Sequence, residues 1–347
     1  MQVDKIVYFA ILLKRCVKTR EPSSDRVIVR KFEEALSSFR KNHEIKRGYK
    51  QNKRSIQYII TMAKELEVIF RNNKLTPWGR TLEFFTPMGE IPMELPVEFK
   101  IFFLRCFLLE NYAMVKSVYK HLERFDEIRD NHHWYEAITR MPKEGLANHA
   151  LSVYVQALKI AVDSVHSLGM RRRYLKLYRE TVRRGKTAKA LYPKIKPSLG
   201  MMEDLNLIVK REISDDLILF SEINAVKPYC EIIRSFPNYE AVVSQTHEDL
   251  LRIILRNFGY TGSKILSGQE TIEHLEKLYG QLRDPAFNVC DINTLINITV
   301  VQKGLEGYQL KESEVRETIG KAQENNRHKY QILPDRYGEK RFLRIKR

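Results

Sequence analysis

The sequence predicts a mainly α-helical protein with short β-hairpins, and three observations lead to this class. Hydrophobic residues make up 43% of the 347 positions, which is enough to form packed cores. Only 15 glycines and 12 prolines occur, too few for a chain dominated by tight turns. Long stretches rich in Leu, Ile, Lys, Glu and Arg have their apolar residues at helical spacing. A chain of this length is expected to form two or three compact units, which we place at residues 1–88, 95–238 and 239–347.

The positive charge is concentrated in three segments. The formal net charge is +17, and residues 40–54, 169–196 and 321–347 carry +6, +10 and +6. The remaining 277 residues are therefore net negative by 5. Because binding to a polyanion depends on the local density of cations, this distribution favours a nucleic acid partner. The alternative is three solvated helical faces of a lysine-rich protein.

The N-terminal apolar run, the adjacent histidines and the cysteines give no indication of a membrane span, a metal site or a cofactor. The longest uncharged apolar run, residues 6–13, has eight residues, whereas a bilayer span needs about 20. We interpret it as a buried helix and expect a cytoplasmic, nucleoid-associated protein. Adjacent His132 and His133 have no partner ligand at metal spacing, so we expect a surface or packing role for them. The cysteines are too far apart for a zinc site or a disulfide framework: Cys16, Cys106, Cys230 and Cys290.

The first unit contains an amphipathic helix followed by a short hairpin. From residue 54 onward a stripe of apolar residues at helical spacing predicts a buried face, formed by Ile56, Ile59, Ile60, Ala63 and Leu66. The opposite face carries Lys53, Arg54, Gln57, Tyr58, Thr61 and Lys64. Residues 68–70 and 75–76 are predicted strands around the polar turn 71–74. Pro77 and Gly79 are expected to close the hairpin before another helix begins near Leu82.

The order of helix, short hairpin and the following segment LTPWGRTL resembles the winged helix-turn-helix superfamily. In its DNA-binding members the helix before the hairpin lies in the major groove and the hairpin contacts the backbone. The resemblance implies that Arg54, Gln57, Tyr58 and Thr61 face base edges. It implies phosphate contacts for Lys53, Lys64, Arg71 and Lys74. Winged helices also serve as protein-docking domains, which remains an alternative.

The second unit is predicted to repeat this order after a helical insertion. Two apolar helices within 96–125 precede a polar connection at 126–147, a helix at 151–168 and the basic stretch 169–196. A helix beginning at Pro197 leads to strands at 207–209 and 217–220. Because this helix offers few exposed polar groups and its turn is acidic, we expect contacts with the DNA backbone rather than base reading. The residues expected to make them are Arg171, Arg172, Lys176, Arg179, Arg183 and Lys196.

The third unit is predicted to be helical with a C-terminal hairpin. Helical patterns occur at 247–258, 271–282 and 293–302, and another helix opens at Glu312 or Ser313. Two strands, one from Tyr330 and one ending at Ile345, flank a turn at 334–339. We interpret this as a third winged helix, with an ordinary basic tail as the alternative. Its expected DNA contacts are Arg316, Arg336, Lys340, Arg341 and Arg344.

These features predict a protein that binds double-stranded DNA without catalysis, as in transcription control or replication initiation. No phosphate-binding GxxxxGK[ST] loop occurs, and Asp335 and Glu339 fall within one turn, which is the wrong spacing for a metal-dependent nuclease. A diverged catalytic site without a known motif remains an alternative. The tandem arrangement also resembles the recognition regions of type IIS restriction enzymes, so a DNA-recognition component of a restriction or defence nuclease is one alternative. A winged-helix assembly factor that docks onto protein partners is another.

Overall fold

The predicted class, mainly helical with a few short strands, is confirmed by the computed structural model of the chain. The structure describes residues 5–17, 24–45, 53–110, 115–118, 127–131, 159, 175, 179, 199–205, 207–214, 217–222, 250–335 and 340–346. The chain divides into two compact units. One comprises Met1–Val3, Val7–Cys106 and Thr246–Arg347, and the other comprises Asp4–Ile6 and Phe107–Gln245. The N-terminal and C-terminal stretches, which the sequence analysis separates, thus belong to one unit.

The N-terminal stretch begins with three helical segments. Helix α1 (Lys5–Ile11) continues into a π-helical turn at Leu12–Cys16, followed by α2 (Asp25–Asn42) and α3 (Lys53–Glu65). The apolar run at 6–13 is buried, as predicted, except at Tyr8, which is half-buried. The predicted stripe of α3 is also buried except at Ile59, which is half-buried, because apolar side chains at helical spacing share one face.

The hairpin after α3 is tighter than the sequence predicts. Its strands are reduced to one antiparallel bridge between Ile69 and Leu75, and the Phe70 amide donates to the Lys74 carbonyl at 2.8 Å. Helix α4 (Pro77–Phe85) then begins at once. The expectation that Pro77 and Gly79 close the hairpin is wrong: both lie in the first turn of α4, because Thr76 caps the helix and Pro suits its first position.

Helix α5 (Val97–Glu110) supplies the aromatic part of the core. Phe103 meets Phe9 edge to face at a ring distance of 4.9 Å and stacks on Phe99 at 5.9 Å. All three rings are buried, and aromatic pairs in these geometries stabilise a core beyond their buried area. This packing joins α5 to α1.

The second unit contains a three-stranded antiparallel sheet in its described part. Strands β1 (Glu127–Asn131), β2 (Ile208–Ser214) and β3 (Leu217–Glu222) lie in the order β1-β3-β2. The predicted hairpin of β2 and β3 is confirmed. The interpretation of residues 126–147 as a polar connection is wrong at 127–131, because β3 offers its free edge to this segment. Described residues 199–204 are helical, as predicted.

The C-terminal stretch alternates helices with very short strands. Its helices are α6 (Leu250–Asn257), α7 (Gly268–Leu282), α8 (Ile292–Leu305) and α9 (Glu312–Asn325). Its strands are β4 (Lys264–Ile265), β5 (Cys290–Asp291), β6 (Tyr308–Gln309), β7 (Tyr330–Pro334) and β8 (Lys340–Ile345). Strand β4 pairs in parallel with β6, and the other three form a sheet in the order β5-β8-β7. The predicted α9 and the C-terminal hairpin are confirmed.

The N-terminal and C-terminal stretches pack together through α4 and α8. The Thr294 hydroxyl on α8 donates to the Pro77 carbonyl at 3.4 Å. A second link joins α5 to α9: the Arg105 guanidinium lies 2.9 Å from the Glu312 carboxylate. The two stretches, which are far apart in sequence, are therefore joined by a hydrogen bond and an ion pair.

The described cysteines, Cys16, Cys106 and Cys290, are buried. Burial raises the pKa of Cys16 and that of Cys290 to about 12. Since the thiolate is the reactive form, both side chains act as packing residues.

In the part of the chain that the structure describes, no helix has the length and apolar character that crossing a bilayer requires. Nor does any group of three His, Cys, Asp or Glu side chains among those residues lie close enough to hold a metal ion.

Candidate nucleic-acid interface

The outer face of α3 presents uncharged polar groups. Gln57 and Thr61 are exposed and one helical turn apart, while Ile56 and Ile60 on the opposite face are buried. The glutamine amide can donate and accept hydrogen bonds, and the threonine hydroxyl can also do both, with a single donor. This face can therefore form hydrogen bonds with a partner without first breaking an internal ion pair.

A carboxylate at the start of α2 fixes the hairpin turn to the end of α3. Asp25 Oδ1 accepts from Lys64 Nζ at 2.8 Å and from Asn73 Nδ2 at 2.7 Å. These hydrogen bonds, the one from Lys64 foremost, lower the pKa of Asp25 below its usual range. Asn73 is buried and has a positive φ of 60°, a conformation that asparagine tolerates better than most residues. The turn is thus held in one position beside the helix.

The turn itself carries two cations. Arg71 and Asn72 are exposed and Lys74 is half-buried. Arg71 and Lys74 make no ion pair with any residue that the structure describes. Lys64, by contrast, is half-buried and paired with Asp25. It therefore positions the turn, and a phosphate would have to compete with Asp25 for it. We define the α3 surface as the side chains of Gln57, Thr61, Arg71, Asn72 and Lys74.

Two of the cations predicted on the C-terminal hairpin, Arg341 and Arg344, are engaged within the fold. Arg341 Nε donates to the buried carboxylate of Asp291 at 3.0 Å, and Arg344 donates to the Phe287 carbonyl at 3.2 Å. Arg316 on α9 is exposed, but it donates to Asn293 at 2.5 Å. Arg341 and Arg344 thus connect β8 to residues just before α8, and Arg316 connects α9 to α8 itself.

The outer face of α9 has mixed charge. Lys321 pairs with Glu317 at 2.6 Å, and both side chains are about two-thirds exposed. The exposed charged residues of this helix comprise three carboxylates and two cations, namely Glu314, Arg316, Glu317, Lys321 and Glu324. A helix with this balance would bring carboxylates close to phosphates, so α9 is poorly suited to lie against a DNA backbone.

A cationic groove of about 800 Å³ lies between the end of α7 and the start of β7. His328 and Lys346 are exposed there and make no ion pair within the described residues. Lys329 pairs with Glu276 at 2.7 Å, and Arg283 donates to Asn288 at 2.6 Å. One carboxylate faces four basic side chains, so the groove favours an anion such as a phosphate. Its lining residues are Glu276, Tyr279, Gly280, Arg283, Asn288, Asn326, His328, Lys329, Ile345 and Lys346.

For several of the predicted DNA-contacting residues, the residue or its side chain is not among those that the structure describes. The side chains of Lys53, Arg54, Tyr58 and Lys340 are not described, although their backbones are helical or extended. Arg179 is helical and exposed. The remaining residues from the second and third basic segments fall outside the described residues: Arg171, Arg172, Lys176, Arg183, Lys196 and Arg336.

Asp25, Asn73 and the groove residues Arg283 and His328 were not predicted from the sequence. Asp25 lies 39 positions before Lys64, so spacing along the chain could not pair them. The position of Asn73 in a polar turn was a hint in the sequence, since asparagine there often adopts a left-handed conformation. The groove residues come from two segments that are brought together only when β7 and β8 pack against α7.

Comparison of the chain with protein-family models, with curated proteins and with solved structures gave no match.

Proposed function

We propose that this chain binds double-stranded DNA, with the α3 surface as the contact that reads the duplex. The observation that carries the proposal is the pairing of two exposed, uncharged polar side chains on α3 with two cations on a fixed turn. In sequence-directed DNA binding, helix side chains contact base edges and provide specificity, while flanking cations contact phosphates and position the protein.

The element order supports this proposal. In each terminal stretch two helices are followed by a short hairpin: α2 and α3 by the 69–75 bridge, and α8 and α9 by the β7–β8 hairpin. Helix-turn-helix modules place the second helix of such a pair in the major groove. On this interpretation α3 is the recognition helix of the N-terminal module.

The two modules differ in their surfaces, and this difference assigns their roles. Gln57 matches the donor and acceptor pattern of adenine, whereas the outer face of α9 has mixed charge and its Lys321 is paired with Glu317. The C-terminal stretch would therefore contribute through its cationic groove, where His328 and Lys346 are available to phosphates. The net charge of +17 supplies the long-range attraction.

The test is a titration of a labelled random duplex with the Arg71→Ala/Lys74→Ala double variant. We expect affinity to fall for every sequence, and the slope of log K against log salt to become shallower by nearly two units, because each phosphate contact contributes about 0.9. Gln57→Ala should leave affinity for random duplex unchanged and weaken preference for a selected sequence. The matched control is Arg256→Ala, which removes an exposed cation from α6.

Wild-type affinity and salt slope in the double variant would contradict the assignment of the α3 surface. An equal loss in Arg256→Ala would show instead that only net charge matters.

A further inference from the structure

A pocket of about 620 Å³ lies where α4 and α5 meet α8 and α9, apart from the α3 surface and the cationic groove. Its size is within the range of small-molecule sites in proteins. We call it the α8–α9 pocket, and its lining residues are Trp78, Arg105, Asn293, Ile296, Asn297, Glu312, Ser313, Arg316 and Glu317.

A buried amide faces this pocket without a partner. Asn297 on α8 is 3% exposed, and its Nδ2 makes no hydrogen bond with any described residue. Leaving a buried amide unpaired destabilises the fold, so such groups usually serve a ligand or an ordered water. The donor of Asn297 is therefore available to an acceptor atom inside the pocket.

The charges around the pocket are balanced. Arg105 and Arg316 supply two cations, and Glu312 and Glu317 supply two carboxylates. An anionic ligand would meet the carboxylates and a cationic ligand would meet the guanidinium groups. The lining thus favours a neutral ligand that carries both donors and acceptors.

One wall of the pocket is aromatic. The Trp78 indole is half-buried, and the Arg105 guanidinium lies 5.2 Å from its ring centre. Glu312, which holds Arg105 at 2.9 Å, is itself only 15% exposed. A planar ring beside Trp78 would gain stacking energy, and its edge could donate to a carboxylate and accept from an amide.

We propose that the α8–α9 pocket binds a purine base, whether as a free nucleoside or as a base within a single strand. The exocyclic amine of the purine donates to Glu312, an acceptor on the ring or its carbonyl receives a hydrogen bond from Asn297, and the ring packs against Trp78. This inference goes beyond the proposed duplex binding and does not depend on it.

The test uses the intrinsic fluorescence of Trp78. The chain has two tryptophans, so Trp134→Phe in the full chain leaves Trp78 as the reporter. Guanosine and adenosine are titrated, with uridine and glucose as comparison ligands. We expect saturable quenching by at least one purine nucleoside, with binding about tenfold or more tighter than for uridine or glucose. A trinucleotide with a central purine distinguishes the sources: tighter binding than the nucleoside indicates a base within a strand, and weaker binding indicates the free nucleoside.

Two variants of α8 separate binding from folding. Asn297→Leu removes the unpaired amide from the pocket, and we expect purine affinity to fall by about tenfold without a lower Tm. Thr299→Val is the matched control, because Thr299 Oγ1 is equally buried and has no partner among the described residues, yet Thr299 does not line the pocket. It should bind purine as the wild type does.

No saturable quenching by any purine nucleoside or by the trinucleotide would overturn the proposal. So would purine binding that Asn297→Leu leaves intact, or binding of uridine or glucose as tight as that of the purines.

Discussion

Arg105→Ala is expected to lower the free energy of unfolding by about 3–5 kcal/mol, because it leaves the Glu312 carboxylate in a largely buried site without its cation. Arg105 is 1% exposed, its guanidinium lies 5.2 Å from the Trp78 ring and 5.6 Å from the Phe102 ring, and it joins α5 to α9 across 207 positions of sequence. The variant therefore also loses packing against two aromatic rings. Urea unfolding at neutral pH measures the change.

A double replacement distinguishes charge from packing. Arg105→Met with Glu312→Leu removes both charges and fills the site, so we expect it to recover most of the loss seen in Arg105→Ala. Lys321→Ala is the matched control, since its pair with Glu317 is about two-thirds exposed and should contribute less than about 1 kcal/mol. Equal losses in Arg105→Ala and Lys321→Ala would show that burial of the Arg105 pair has no energetic consequence.

Gly79→Ala is expected to destabilise the protein by about 1–3 kcal/mol, against the trend of helix propensity. A Cβ at position 79 would lie well inside van der Waals contact of the Val68 carbonyl oxygen and 3.1 Å from Leu75 Cδ2. Val68 accepts the backbone hydrogen bond of Thr76 at 3.2 Å, so it cannot move without opening the hairpin. The first turn of α4 would have to shift away from residues 68–75.

Gly320→Ala makes the matched comparison. Gly320 also lies within a helix, α9, but a Cβ there meets nothing within 4 Å. Alanine should therefore stabilise this position by up to about 1 kcal/mol. The two changes, each measured by urea unfolding, should have opposite signs. Stabilisation by Gly79→Ala would contradict the close approach of α4 to the hairpin.

Because the turn at 71–74 carries three residues of the α3 surface, we also expect Gly79→Ala to affect DNA binding. If the position of the turn matters for phosphate contacts, this variant should bind duplex more weakly than Gly320→Ala at a temperature where both are folded. The comparison uses the same titration as the α3 surface variants.

Local patterns in the sequence predict most of the described helices and the β2–β3 and β7–β8 hairpins. The apolar spacing in 312–325 and the alternation at 341–345 correspond to α9 and β8, because local periodicity determines which face is buried. Strand β1 was missed because EIRDN has no apolar alternation, and only its pairing with β3 makes it a strand. The start of α4 was misplaced because Pro and Gly suit both a turn and the first turn of a helix.

The candidate sites were less predictable because their groups are distant in sequence. Sequence spacing identified the outer face of α3, but it could not show that Lys64 is held by Asp25 or that Arg341 is held by Asp291. The α8–α9 pocket depends on residues from four helices. One signal was present: Arg105 is the only charged residue in the apolar run at 101–109, and a lone charge on a buried helix indicates a buried partner.

The central claim is that the chain binds duplex DNA, and affinity measured across a salt series tests it most directly. Wild-type protein is titrated into a random duplex, a single strand of the same length and an RNA hairpin at several salt concentrations. We expect the duplex to bind most tightly and log K to fall steeply with log salt, with a slope of about 0.9 for each phosphate contacted. Weak binding to the duplex with a shallow salt slope, or a clear preference for RNA or the single strand, would contradict it.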